Sequence, residues 1–196
     1  MLYYFKMMKL VCIKLFILYL CTVNILAATT LYLNPMRSAV GFKTHLLGVK
    51  EINAKFLAST VIIDLKDTST IQQFEMKIDT ASLSTGTKYF DRHLKEKKFF
   101  NSVINPYIMF VATGPINIKS KVLNGELLIN GVRKKVQLPV QFNYIKKESD
   151  LKYKLHVRSN GFIIDNDLYN LNWFPFFTSH LELYLNLVTE TLNQRN

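Results

Sequence analysis

The chain of 196 residues contains two cysteines, Cys12 and Cys21, and both fall within its first 28 residues. A chain cut near residue 28 has no thiol, which excludes a disulfide framework and thiol chemistry. Its stability must come from an apolar core, and residues 29–196 suffice for one domain with a sizeable interior. Catalytic signatures are missing as well. The four histidines, His45, His93, His156 and His180, form no H-E-x-x-H, no tight His/Cys cluster and no evident Ser-His-Asp set. Gly86 in Ser84-Thr-Gly-Thr87 is too little for a phosphate loop. No metal, cofactor or enzymatic activity is expected. No repeat, coiled coil or low-complexity block is present.

Acidic residues are also in short supply, with 14 Asp and Glu against 25 Lys and Arg and a net charge of +11. Removing Lys6, Lys9 and Lys14 with the first 28 residues leaves +8. Local clusters stand at Lys95/Lys97/Lys98, Arg133-Lys134-Lys135 and Lys146-Lys147. Such clusters attract anionic lipid head groups. The plainer reading is an AT-rich coding sequence, which favours Lys, Asn and Ile. Nucleic-acid binding is not expected, since export removes the partner and no recognition motif is present.

What is present begins with a leader. Lys6 and Lys9 give a basic start, Leu15 to Leu20 is an unbroken apolar run, and Ala27-Ala28 offers small residues for cleavage. Residues 1–28 therefore read as a secretory signal peptide, with Met7 or Met8 as an alternative start. A membrane anchor needs about 20 apolar residues, and Lys14 and Asn24 bracket fewer. A lipoprotein signal would want a small residue before Cys21, where Leu20 stands.

Residues 29–196 alternate like strands. Val40, Phe42 and Leu46 share one phase, and a second strand is expected from about Glu51 to Leu65. Phe74, Met76 and Ile78 face inward on a third, and Ile108, Phe110 and Ala112 on a fourth. Asn124-Gly125 and Asn130-Gly131 are turn signals around Glu126 to Ile129. The clearest strand runs from Val136 to Tyr144, where Pro139 marks an edge, a bulge or a weak seam. Lys146 to Asp150 reads as a hairpin loop, and Tyr153, Leu155 and Val157 face inward beyond it. Asn160-Gly161 and Asp165-Asn-Asp167 read as one long loop, ending in Asn172-Trp-Phe-Pro-Phe-Phe177. A last strand spans His180 to Val188.

One segment breaks the alternation. Asp91-Arg-His-Leu-Lys-Glu-Lys-Lys-Phe-Phe100 is charged and amphipathic, with Asp91 as the expected helix N-cap and Asn105-Pro106 as its end. Eight or so one-sided strands around a single short helix give an all-β, antiparallel barrel or sandwich. Its inward residues are apolar: Phe42, Phe56, Phe74, Met76, Ile78, Phe110, Leu127, Ile129, Leu138, Phe142, Leu155, Leu181, Leu183 and Leu185. A barrel of this size either fills itself with side chains or holds one elongated ligand, and a filled core is the more frequent case.

The order Asp91-x-His93-Leu94, a run of charges, Phe99-Phe100, then Pro106-x-Ile108-x-Phe110 resembles the centre of the YceI-like family. So do Ser38-x-Val40-x-Phe42-x-x-His45-Leu46-x-Gly48-Val49 and Asn124-Gly125-x-Leu127-x-Ile129-x-Gly131-Val132-x-x-x-Val136-x-Leu138. Arg158-Ser159-Asn160-Gly161-Phe162 is similar to a further family segment, with the glycine displaced to precede the phenylalanine. Ala54 and Arg133 also depart from the pattern, where Gly and Thr are usual.

The resemblance implies an eight-stranded lipocalin-like periplasmic barrel that binds a polyisoprenoid lipid of quinone or polyprenol type. The bore would be lined by Phe42, Phe56, Phe74, Met76, Ile78, Phe110, Leu127, Ile129, Leu138, Phe142, Leu155 and Leu183. A polar lipid end needs partners at an opening, and His45, Asp91 and His93 are expected at that mouth. The rival reading is that Asp91 and His93 fix the helix to the barrel. Trp173 joins the mouth if its aromatic cluster is a lid; core and membrane-touching edge are the alternatives. The other class of function is a solid-core interaction protein contacting a membrane redox or envelope protein. Transient contact with a membrane surface and homodimerisation stay open.

Overall fold

Three long strands in this chain bend instead of ending, and the bends decide its architecture. The computed structural model describes residues 29–147, 152–171 and 178–191. Its strands are β1 (Thr29–Leu33), β2 (Ala39–Leu46), β3 (Lys50–Phe56), β4 (Ser59–Leu65), β5 (Thr70–Asp79), β6 (Leu83–Ser84), β7 (Tyr107–Ala112), β8 (Ile116–Asn117), β9 (Val122–Ile129), β10 (Val132–Pro139), β11 (Gln141–Lys147), β12 (Lys152–Asp165) and β13 (His180–Glu190). The one α-helix among the described residues, α1, covers Lys88–Lys95.

The turn Pro35–Arg37 bends β1 into β2, Leu57-Ala58 bends β3 into β4, and Val140 joins β10 to β11. Each half pairs with a different stretch of the wall. β1 lies against β4 and β2 against β3, while β10 pairs with β9 and β11 with β12. Pro139 sits at the corner, where the chain leaves one neighbour for the next and a missing N–H costs no ladder bond.

Counting each bent pair once and setting aside the two-residue β6 and β8, eight strands form a closed antiparallel ring in chain order. Register partners close it: Lys135, Glu126, Val111, Glu75, Ile62, Tyr32, Glu190 and Lys154 lead back to Ile145, ten residues along the starting strand. A stagger of this kind is what strand tilt in a small barrel requires. The eight-stranded all-β barrel with one helical insertion is thus borne out.

Local expectations fare unevenly. Asn130-Gly131 is a tight hairpin turn, with φ of 49° and 77°, as a two-residue turn of mirror-image type demands. Asn124-Gly125 is not a turn; β9 runs straight through it. Asn160-Gly161 is not a loop either. β12 continues to Asp165, and the register slips between Ser159 and Phe162 in a bulge that places Gly161 at φ 74°.

The helix is shorter than expected and differently capped. Thr87 is its N-cap, so Asp91 lies within the first turn. It stops at Lys95, and the chain then folds back so that Phe100 N–H donates to the Leu94 carbonyl at 3.2 Å. Residues 145–152 have no described side chains, and the hairpin tip 148–151 and the segment 172–177 lie outside the described residues.

Candidate functional site

The inward phase of every wall strand converges on one apolar interior. Phe42, Phe56, Phe74, Met76, Ile78, Phe110, Leu127, Ile129, Leu138, Leu155, Leu181 and Leu185 are all buried there. Phe142 and Leu183 are half-buried against the same cluster. Alternation puts them there: a residue on the pleat faces either inside or out, and here the inside is where the apolar residues fall.

The segment after α1 enters this interior. Phe100 lies 5.7 Å from the Phe42 ring and 5.8 Å from Phe56, and Phe99 is 4.6 Å from Phe100. Edge-on contacts at these separations are favourable for aromatic rings. The two rings plug the space beside β3, so the helical insertion is part of the bore and not merely a rim. Phe74 and Phe110 form a second edge-on pair at 6.0 Å.

Polar groups interrupt the apolar inward side, among them Tyr144, which the alternation had placed there, and Ser159 and Lys134, which had not been singled out. The hydroxyls of Tyr144 and Ser159 are buried without a hydrogen-bond partner among the described residues. Burial raises the Tyr144 phenol above its ordinary pKa, with Tyr153, stacked on it at 6.1 Å, adding to the effect. Lys134 shares the inward phase of Val132 and Val136 and is half-buried. Its edge of β10 faces the second half of β12, with which it has no register pairing among the described residues. The basic run 133–135 reads in the sequence as headgroup attraction or coding bias, and this lysine's place in the strand phase was the available signal. A cleft of about 350 Å³ opens at the same corner, lined by Lys121, Pro139, Val140, Gln141, Arg158, Ser159 and Asn160.

The expected mouth residues are gathered by topology. In an up-and-down barrel, alternate connections share an end. The β2–β3 turn, the insertion carrying α1, the β9–β10 turn and the β12–β13 loop all lie at one end. His45 and α1 are therefore neighbours of that opening. His45 joins the β2–β3 hairpin to the β12–β13 loop, its carbonyl accepting from Thr178 N–H at 3.1 Å. Asn130 ties two further connections, accepting from Asn105 Nδ2 at 2.7 Å and donating to the Asn170 carbonyl at 2.9 Å.

Asp91 and His93 have specific tasks within the insertion. The Asp91 carboxylate accepts from the backbone N–H and, at 2.7 Å, the hydroxyl of Thr85, so it fastens the loop ahead of the helix. His93 packs against Tyr89 at 4.5 Å, and its Nδ1 lies 3.1 Å from Glu96. Arg158 stands elsewhere, outside the wall beside Asn186. Trp173 lies outside the described residues.

Among the described residues, no group of three or more His, Cys, Asp or Glu side chains could hold a metal ion. No described helix is long and apolar enough to cross a membrane.

A model of the YceI-like domain matches residues 31–190. No curated protein matches the chain. Among solved structures, the chain is similar to Burkholderia cenocepacia BcnA at 16% identity and TM-score 0.66, covering 80% of this chain and 98% of that one. It is also similar to the Campylobacter jejuni YceI protein at 20% identity and TM-score 0.64, covering 74% and 88%. A third likeness is to a polyisoprenoid binding domain from Saccharophagus degradans, implicated in plant cell wall breakdown, at 12% identity and TM-score 0.61, covering 85% and 100%.

Proposed function

The chain belongs to the YceI-like domain family, and from that premise we propose that it is a non-catalytic carrier or sequestrant of a long polyisoprenoid lipid. The tail, of quinone or polyprenol type, lies in the barrel interior, and its polar end sits at the opening beside His45, Asp91 and His93. The observation that carries this is the nearly unbroken apolar inward face of a closed wall. Each methylene moved from water to such a face gains about 0.8 kcal/mol, and a polyisoprenoid has enough of them to outweigh the cost of ordering its chain. The likeness to a polyisoprenoid binding domain supports the same ligand class. The domain works in the periplasm after removal of residues 1–28, a reading supported by the basic start, the apolar run from Leu15 to Leu20 and Ala27-Ala28.

Organic-solvent extraction of the purified protein, read by mass spectrometry, tests the reading. A stoichiometric isoprenoid is expected. A folded, lipid-free protein from an isoprenoid-producing host would overturn it.

A second reading is favoured by one observation, the packing of Phe99 and Phe100 onto Phe42 and Phe56. A bore filled by its own rings is a solid scaffold, and the protein would then contact a membrane redox or envelope protein. Lipid-free protein that still co-purifies with such a partner is the result that selects it.

A further inference from the structure

Large apolar side chains left in water on this barrel are not evenly placed. Leu47 and Val49 stand on the β2–β3 turn, Tyr89, Val103 and Ile104 on the insertion between β5 and β7, and Leu168 on the β12–β13 loop. All three connections belong to the end that carries α1. Val49 is 84% exposed and Val103 90%, too open for either to serve the core. The described connections at the opposite end, 66–69 and 113–121, expose no large apolar side chain. An apolar group gathered on one end marks a contact site.

Charge says what the contact is. Lys88, Lys97 and Lys98 are exposed on the same insertion and form no ion pair among the described residues. The acidic groups beside them are already engaged, Asp91 by Thr85 and Glu96 by Arg92 and His93. Asp165 ends β12 and Asp167 lies in the β12–β13 loop, so the basic side of this end is the one bearing α1. Apolar tips of separate loops amid unpaired lysines match the headgroup region of an anionic bilayer, which takes apolar side chains into its boundary and cations at its surface. A protein groove would instead call for one continuous face.

We propose that the barrel docks on anionic membranes by this end, with the loop tips inserted and the lysines on the headgroups. The inference rests on the lipid-carrier reading for its purpose, since docking here brings the opening beside α1 to the bilayer from which a tail would pass. It is tested apart from that reading.

Co-sedimentation of the purified protein is measured with phosphatidylcholine vesicles and with vesicles containing phosphatidylglycerol. Binding to the second, weakened by salt, is expected. Val103→Ser with Ile104→Ser should lower it at least tenfold, by removing two inserted side chains. Lys97→Gln with Lys98→Gln should lower it by about fivefold per lysine and flatten the salt dependence. Met36→Ser and Leu57→Ser, which remove exposed apolar side chains from the bends in the wall, should leave it unchanged. These positions are solvent-exposed, so melting temperatures should match the parent's. Absence of vesicle binding overturns the proposal, as does equal loss from the wall variants. Isoprenoid carriage without vesicle binding would sink docking alone, and vesicle binding by a lipid-free protein would sink the carrier reading alone.

Discussion

The ring of Phe110 occupies the place where a side chain on Gly125 would stand. A Cβ built on Gly125 meets Phe110 Cζ at 2.6 Å and the Val111 carbonyl oxygen at 2.5 Å. β7 and β9 are neighbours in the wall, with Phe110 facing Leu127 and Ala112 facing Gly125. The glycine is there for close approach between strands, and its freedom to turn is not used. Gly125→Ala should therefore cost about 1–3 kcal/mol by overpacking, lowering the melting temperature by several degrees, about 2–4 °C per kcal/mol. Adding Phe110→Leu relieves the ring clash but not the carbonyl one, so rescue should be partial. No loss in the single variant, measured by thermal melting, would show that the strands part freely.

The rings that plug the interior give a sharper test of what the bore is for. Phe100 is buried among Phe42, Phe56 and Phe99. Phe100→Ala leaves a cavity and should cost about 3–5 kcal/mol. A lipid tail can fill such a space, so the variant should retain more isoprenoid than the parent and recover part of the lost stability when loaded. Equal lipid content, with no stabilisation on loading, would assign the plug to a solid core.

Much of this wall was legible because period-two alternation survives a single sequence, as from Val136 to Tyr144. The bends were harder, although the sequence carries a mark for one of them. Ile52, Ala54 and Phe56 face inward on even numbers and Val61, Ile63 and Leu65 on odd ones, so the phase switches across Leu57-Ala58. The three Asn-Gly pairs were not separable. Asn130-Gly131 turns, Asn124-Gly125 makes room for a ring, and Asn160-Gly161 forms a bulge; the partner strand decides each case. The opening could be named only through the family resemblance. His45, α1 and the β12–β13 loop are far apart in the chain, and closure of the ring brings them to one end.

Asp91 and His93 can be separated into structural and ligand-facing parts. Asp91 holds Thr85 by its side chain, so Asp91→Asn and Thr85→Ala should be non-additive in stability, with coupling on the order of 1 kcal/mol. His93 packs on Tyr89 and its Nδ1 lies 3.1 Å from Glu96, so His93→Ala removes both contacts. If the pair also serves the lipid's polar end, Asp91→Asn with His93→Ala lowers affinity for a head-group-bearing isoprenoid more than for a bare hydrocarbon tail. Equal loss for both ligands, together with a fall in melting temperature, would leave only the structural role.

Alkaline pH should weaken the fold through its buried phenols. Burial raises Tyr169 and Tyr184 above the ordinary value of about 10, as it does Tyr144. A raised phenol is neutral in the folded chain when the unfolded chain has already begun to ionise. Below about pH 10 both states keep the proton and no stability is lost; above it the unfolded state binds fewer protons, so stability falls as pH climbs through the folded pKa. Tyr184 isolates one contribution. Its hydroxyl donates to Asn53 Oδ1 at 2.9 Å, and the side chain covers Gly41 on the neighbouring strand. Tyr184→Phe keeps the cover, gives up about 1 kcal/mol of hydrogen bonding at neutral pH, and removes the ionisation. Melting temperatures followed from about pH 8 to 11 should therefore start lower in the variant and decline less steeply. Parallel curves would mean that Tyr184 ionises alike in the folded and unfolded chains, and the alkaline loss would have to come from the other phenols.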